Sequence, residues 1–304
     1  MKNKVFGSRR TKGDIVFDTL NYIILALIVV ITLYPFLNTL AISFNDSIDA
    51  VRGGIYLWPR KFTLFNYKNI LSQSAIYHAT FISVLRAFIG CIFNVFASLV
   101  VAYAISKKEF VLRGFYSRIF IFSMYFSGGL IPSYFLIKGL GLTNNFLVYI
   151  LPGIVSAWNI MVVRSYIDGL PKSIIESASM DGASEIRIIF SIIFPLSLPV
   201  LATITLFVAV GQWNSWFDTM LYCSSKQSLS TLQFELQKVL QSSASLQTQA
   251  NMAASKIPGA ASNTVTPASV RATMTVIAVV PILLVYPYLQ KYFVTGLTLG
   301  GVKG

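Results

Sequence analysis

Glu176-Ser-Ala-Ser-Met-Asp-Gly-Ala183, running on through Ile192-Ile-Phe-Pro195, is a polar, helix-compatible island lodged between two apolar runs. The runs cover Leu147–Tyr166 before it and Leu196–Trp216 after it. Each has about 20 residues, the length at which an α-helix crosses a ~30 Å hydrocarbon core. Asp168-Gly169-Leu170-Pro171 ends one element, and Pro171 suits the first turn of the next. Ser173 and Glu176 also have the S-x-x-E form of a capping box, so the helix has two candidate starts. Asp181-Gly182 reads as a turn. A second short helix then resumes from Ser184 to Phe190, with Ile186, Ile189, Phe190 and Ile193 on one apolar stripe. The island is therefore a helix–turn–helix. Small Ser177, Ala178 and Ser179 allow another surface to come close, and Glu176 offers a charge to an arginine on a partner. An amphipathic pair lying on the headgroups is the competing reading of the same residues.

Working outward, similar apolar runs recur at Tyr22–Ala41, Phe81–Ile105, Ser117–Ile137 and Met274–Phe293. They are continuously apolar, without the strict alternation of barrel strands, so helices are the expected spans. The composition agrees: 55% of the 304 residues are hydrophobic and 12% charged, about half the charge of an ordinary soluble domain. Mean hydropathy is +0.68. The expected fold is an all-α membrane protein with six transmembrane helices in a single transmembrane domain, residues 1–304.

The net charge of +13 is distributed as a topology signal. Lys2, Lys4, Arg9, Arg10 and Lys12 precede the first span. Lys107, Lys108, Arg113 and Arg118 lie in the second connection, and Arg164, Lys172 and Arg187 lie at the fourth. The positive-inside rule makes these segments cytoplasmic, and six crossings return the C-terminus to the same side. Arg52, Arg60, Lys61 and Lys68 in the long first external loop weaken the bias without reversing it. A lipid bilayer is the expected surroundings, and nucleic acid is not expected as a partner.

Other classes fall away on the residues present. Ser8-Arg9-Arg10 resembles an export signal, but the apolar run behind it is too long for a cleavable segment and continues through Tyr34-Pro35, so an uncleaved first span is expected. His78 is the sole histidine, which removes HExxH zinc sites and leaves no ordinary Ser-His or Cys-His constellation. Cys91 and Cys223 have no metal or redox spacing; Cys91 reads as a packing residue and Cys223 as a free thiol near the outer surface. No G-x-x-x-x-G-K-[ST] occurs, so the chain does not cradle ATP by itself. No catalytic residue, cofactor or metal is expected.

The island's spacing, with Glu176, Ser177, Ala178, Asp181, Gly182 and Ala183 followed by Ile192 to Pro195, resembles the EAA loop through which ABC-importer permeases grip their ATPase. Ser177 stands where Ala is usual, and Phe194 where Leu is. The resemblance covers nearly the whole chain. Gly296-Leu-Thr-Leu-Gly300-Gly-Val-Lys-Gly304 is similar to the tail of the maltose-transporter type, in the carbohydrate-uptake family. Trp213-Asn214 and Leu151-Pro152 also fit it. Arg52-Gly-Gly-Ile-Tyr-Leu-Trp58-Pro59 and Ser127-Gly-Gly-Leu-Ile-Pro132 are similar to its branch for larger oligosaccharides. This resemblance implies a type I importer permease of the cell membrane, with residues 168–195 as a cytoplasmic coupling loop and 294–304 as a tail. It implies a heterodimer with a sister permease, two ATPase subunits beneath and an external solute-binding protein above. It also implies that Gly300, Gly301, Val302 and Lys303 thread between the ATPases.

The external stretch 224–270 is rich in Ser, Gln, Ala and Thr. Leu232, Leu236, Val239 and Leu240 recur at helical spacing, and Asn251 to Pro267 is polar and flexible in composition. In the family this stretch reaches toward the binding protein; a solvated loop is the plainer reading. Gln212, Trp213, Asn214 and Trp216, with Asp218 nearby, combine stacking faces and hydrogen-bonding groups, so they are candidates for the oligosaccharide pathway. Trp is also an ordinary interface anchor. A permease for a non-sugar solute and a non-transporting membrane scaffold for an ATPase are the two alternatives the residues leave open.

Overall fold

The structure, a computed structural model, describes residues 12–242 and 265–298. Their regular structure is helical apart from one isolated bridge between Asn45 and Phe62. Three helices are long and apolar enough to cross a membrane, and six crossings result if each of three bent helix pairs counts as one span. The C-terminal residues 300–303 and most of 224–270 beyond Ser242 lie outside the described residues.

The described chain divides into two compact units, residues 12–70 with 265–276 and residues 71–242 with 277–298. The first is led by α1 (Lys12–Ser43), whose apolar side chains from Ile15 to Phe36 are exposed, as suits a helix solvated by acyl chains. Asn38 Nδ2 donates to the carbonyls of Ile55 (2.7 Å) and Tyr56 (2.9 Å), which pins the following loop to this helix. Two short helices follow, α2 (Ser47–Val51) and α3 (Phe65–Leu71). Asp46 caps α2 by accepting from the Asp49 N–H at 3.0 Å. The Asp49 carboxylate in turn accepts from Asn45 Nδ2 (3.0 Å) and Arg60 Nε (3.1 Å). The Asn45 hydrogen bond, and after it the Arg60 charge, hold this carboxyl below the usual carboxylate range against the opposing effect of burial.

The second unit is organised around α4 (Ser74–Ser106). Next come α5 (Arg113–Tyr125) and α6 (Leu130–Gly139), bent by 118° about Phe126–Gly129. The run Ser117–Ile137 is therefore two helices and not one straight span. Gly129, at φ +89°, makes the reversal. At about 1.5 Å per residue, neither piece alone crosses a ~30 Å core. The fourth run starts as two 3₁₀ turns, Phe146–Tyr149 and Leu151–Gly153. It continues as α7 (Ala157–Asp168), set at 45° to them.

After α7 come α8 (Lys172–Met180), α9 (Glu185–Ile188), a π-turn over Ile189–Ile193 and α10 (Phe194–Leu196). An 81° bend leads into α11 (Leu198–Asn214), then α12 (Phe217–Tyr222) and α13 (232–242). The last helix, α14 (Pro267–Thr298), begins in the first unit and ends in the second.

One core holds α4, α7, α9, the π-turn and α11 together: Leu99, Ala102 and Tyr103 meet Ile160, Val163 and Ile167, and against these pack Ile188, Ile193, Leu201 and Ile204. A second core joins Ile82, Ile137, Tyr149 and Leu229. Cys223 belongs to that second core and is buried, so it is not the surface thiol expected of it.

Candidate functional site

The helix–turn–helix island is present, with its details shifted. α8 starts after Pro171, and no side-chain cap forms there, so the Ser173–Glu176 capping box is not made. The helix ends in a Schellman arrangement: Ala183 N–H donates to Ala178 O (3.0 Å) and Gly182 N–H to Ser179 O (3.1 Å). Gly182 sits at φ +73°, which the motif requires at that position. Ser184 then caps α9 through the Arg187 N–H (3.4 Å).

The two faces of α8 differ. Ile175, Ala178 and Ala183 pack on the core of the second unit. Glu176, Ser177, Asp181 and Gly182 are exposed, as is Met180 at 88%. Of the six island residues singled out in the sequence, two thus seat the element and four face outward. The expected stripe holds in part: Ile193 and Ile189 pack on the core, while Ile186 (69%) and Phe190 are exposed and Ile188 is buried. The π-turn explains this, because its extra residue brings positions five apart onto one face. Lys107 forms an ion pair with Glu185, and Tyr103 donates to Glu185 Oε2 at 2.9 Å, tying the end of α4 to α9.

A cavity of about 800 Å³ opens in the second unit between α4, α6, the 3₁₀ turns, α11 and α12. Its polar lining includes Arg86, Asn94, Asn159, Gln212, Ser215 and Asp218, set among apolar groups such as Leu136, Pro152 and Val208. Arg86, 2% exposed, makes a bidentate pair with Asp218: Nη1 to Oδ1 at 3.2 Å and Nη2 to Oδ2 at 2.5 Å. Its Nε and Nη2 also donate to Gln212 Oε1 at 3.0 and 2.9 Å, and Nη1 to the Ser215 carbonyl at 3.3 Å. The guanidinium carbon lies 4.4 Å from the centre of the Tyr149 ring. Deeper, Asn159 Nδ2 donates to Asn94 Oδ1 (2.7 Å), and Asn94 Nδ2 donates to Gly153 O (2.6 Å).

The four sequence candidates for the pathway are dispersed. Gln212 lines the cavity. Trp213 is buried, its indole donating to Ala278 O at 3.0 Å, and it borders a separate apolar cleft of about 220 Å³ with Val84 and Pro281. Asn214 accepts from Gln233 at 3.2 Å, and Trp216 meets Phe217 edge-on at 5.8 Å. Arg86 was not among those candidates. Its signal was available: an ionisable residue inside an apolar span is costly unless it is paired and used.

The described chain thus carries an exposed helix–turn–helix and a cavity whose walls mix apolar and polar side chains. The family described as "Binding-protein-dependent transport system inner membrane component" matches over residues 94–299. The chain belongs to this family. It is a multi-pass inner-membrane permease component, not the ATP-hydrolysing subunit, of a binding-protein-dependent ABC transport system.

The permease is similar to Protein LplC of Bacillus subtilis (strain 168), with 34% identity over 97% of each chain. It is equally similar, at 34%, to the polygalacturonan/rhamnogalacturonan transport system permease protein YtcP of the same organism, over 95% of this chain and 98% of that one. Among solved structures it resembles a chain of a bacterial ABC transporter involved in the import of the acidic polysaccharide alginate. There the TM-score is 0.83 at 25% identity, covering 94% of this chain and 99% of the other.

Proposed function

We propose that the permease forms half of a translocation pathway for an oligosaccharide delivered by an external binding protein, paired with a sister permease above two ATPase subunits. The observation that carries the reading is the cavity. Its carboxamides, hydroxyls and aromatic faces, Asn94, Asn159, Gln212, Tyr149 and Tyr222, alternate with apolar walls, a lining suited to a sugar held by hydrogen bonds and stacking. The descriptions of the pectin-type relative and of the alginate transporter support a saccharide. In this reading α8 and its Schellman turn are the coupling element. Glu176, Ser177, Asp181 and Gly182 meet the ATPase, with Ala178 and Ala183 fixing the helix to the permease core. Gly300, Gly301, Val302 and Lys303 are the second contact with the motor. Both termini lie on the cytoplasmic side of six spans.

The test is reconstitution of the complete complex in vesicles with binding protein outside and ATP inside. Oligosaccharide-loaded binding protein should stimulate ATP hydrolysis and uptake together. Stimulation only by an amino acid or ion would overturn the saccharide assignment. Unstimulated hydrolysis without any uptake would identify a scaffold.

A further inference from the structure

We infer that Arg86 is a positioning residue for transport: the buried guanidinium, with Gly90 one turn away, holds the Gln212 carboxamide in place on the cavity wall, and Asp218 neutralises it there. The inference rests on the cavity's being part of the pathway.

Four observations converge on it. Arg86, Gly90 and Asn94 are spaced by four on α4 and therefore share one face. Two of the guanidinium's nitrogens converge on the single oxygen Gln212 Oε1, while Gln212 Nε2 donates to the Tyr149 carbonyl at 3.2 Å. Both ends of the carboxamide are thereby fixed, and its orientation is determined. Gly90 supplies the space: a Cβ there would sit 2.9 Å from Gln212 Nε2, closer than packed atoms approach, and a tight 3.2 Å from its Cγ, so the Gln212 side chain would have to shift. Finally, the Asp218 carboxylate accepts from Ser215 Oγ and the Thr219 N–H, both at 2.9 Å, so the counter-charge is itself held at the α11–α12 junction.

An ion pair whose only task is to join helices can be exchanged for apolar side chains of similar volume without loss of folding or function. One that aims a third side chain can be exchanged without loss of folding, but the aim is lost. Arg86→Met with Asp218→Leu is therefore the decisive variant, measured in the reconstituted complex by uptake over a range of loaded binding protein. The expected result is normal assembly and melting temperature, with the half-saturating concentration raised ~3- to 10-fold, the worth of one or two hydrogen bonds. Gln212→Ala should give the same rise, and adding it to the double variant should produce no further rise. Gly90→Ala, which changes no charge, should reproduce the effect by displacing Gln212. Wild-type half-saturation in the double variant, with Gln212→Ala still impaired, would overturn the positioning role and leave the pathway reading intact. Wild-type half-saturation in Gln212→Ala itself would remove the pathway reading on which the inference stands.

Discussion

Gly182 shows how one residue's conformational freedom supports a whole surface. At φ +73°, a side chain meets the steric penalty of the left-handed region, about 1–2 kcal/mol for most residues and less for Asn. Gly182→Ala should therefore lower the complex's thermal stability modestly and reduce uptake, and Gly182→Asn should recover much of both. Equal behaviour of the two variants would show that the turn's geometry is not what matters.

Asp49 yields a pH prediction. Its carboxyl is held below the ordinary range, so the stabilisation it contributes is complete above the unfolded value of about 4. That contribution falls away as pH drops through the lower folded value. The loop amides of Asp46 and Thr63, which donate to Lys61 O and Phe44 O at 2.9 and 2.8 Å, should lose hydrogen-exchange protection over that acid range. Asp49→Asn should start with less protection near neutrality and lose less on acidification. An unchanged acid response in that variant would exclude Asp49 as the titrating group.

α8 is the element on which coupling is proposed, and its exposed charge gives the sharpest perturbation. Glu176→Lys leaves the buried face, Ile175 and Ala178, untouched and reverses the charge presented outward. Membrane insertion should stay normal while co-purification of the ATPase, or substrate-stimulated hydrolysis, falls strongly. Full co-purification and full transport would end the docking assignment.

Elements differed in how plainly the sequence announced them. The apolar runs and the polar island were readable because hydropathy and turn chemistry are local properties. The 118° bend at Phe126–Gly129 was harder to see, since a Gly-Gly pair inside an apolar run permits a reversal without requiring one. The burial of Ile188 in place of Ile186 escapes the sequence reading, because a regular 3.6-residue period does not hold across a π-turn. The cavity was only partly legible. Gln212 and Asp218 stood out as polar groups near the end of a span, but their partner Arg86 is 126 residues from Gln212 in sequence, and only the packing of α4 on α11 brings them together.

For the molecule as a whole, the proposed six crossings with both ends inside make a labelling prediction. Cys91 and Cys223 are both buried, so the described residues give a quiet background for introduced thiols. In sealed cells a membrane-impermeant reagent should modify a cysteine placed at the exposed Ser225 and spare one at Ser179. Modification at Ser179 from outside would overturn the topology.

The π-turn at Ile189–Ile193 has a consequence for how this chain tolerates changes of length. A π-turn is an α-helix holding one residue too many, so loss of one residue there closes the ladder into ordinary i→i+4 bonds and keeps the flanking helices in phase. Ser191 is exposed within it, and Ile188 and Ile193 would become four apart, still on one face. A single-codon deletion of Ser191 should consequently yield an inserted, folded permease. The same deletion at Thr203 in α11 would turn every later side chain of that helix by about 100°, taking Ile204 off the core and Gln212 out of the cavity.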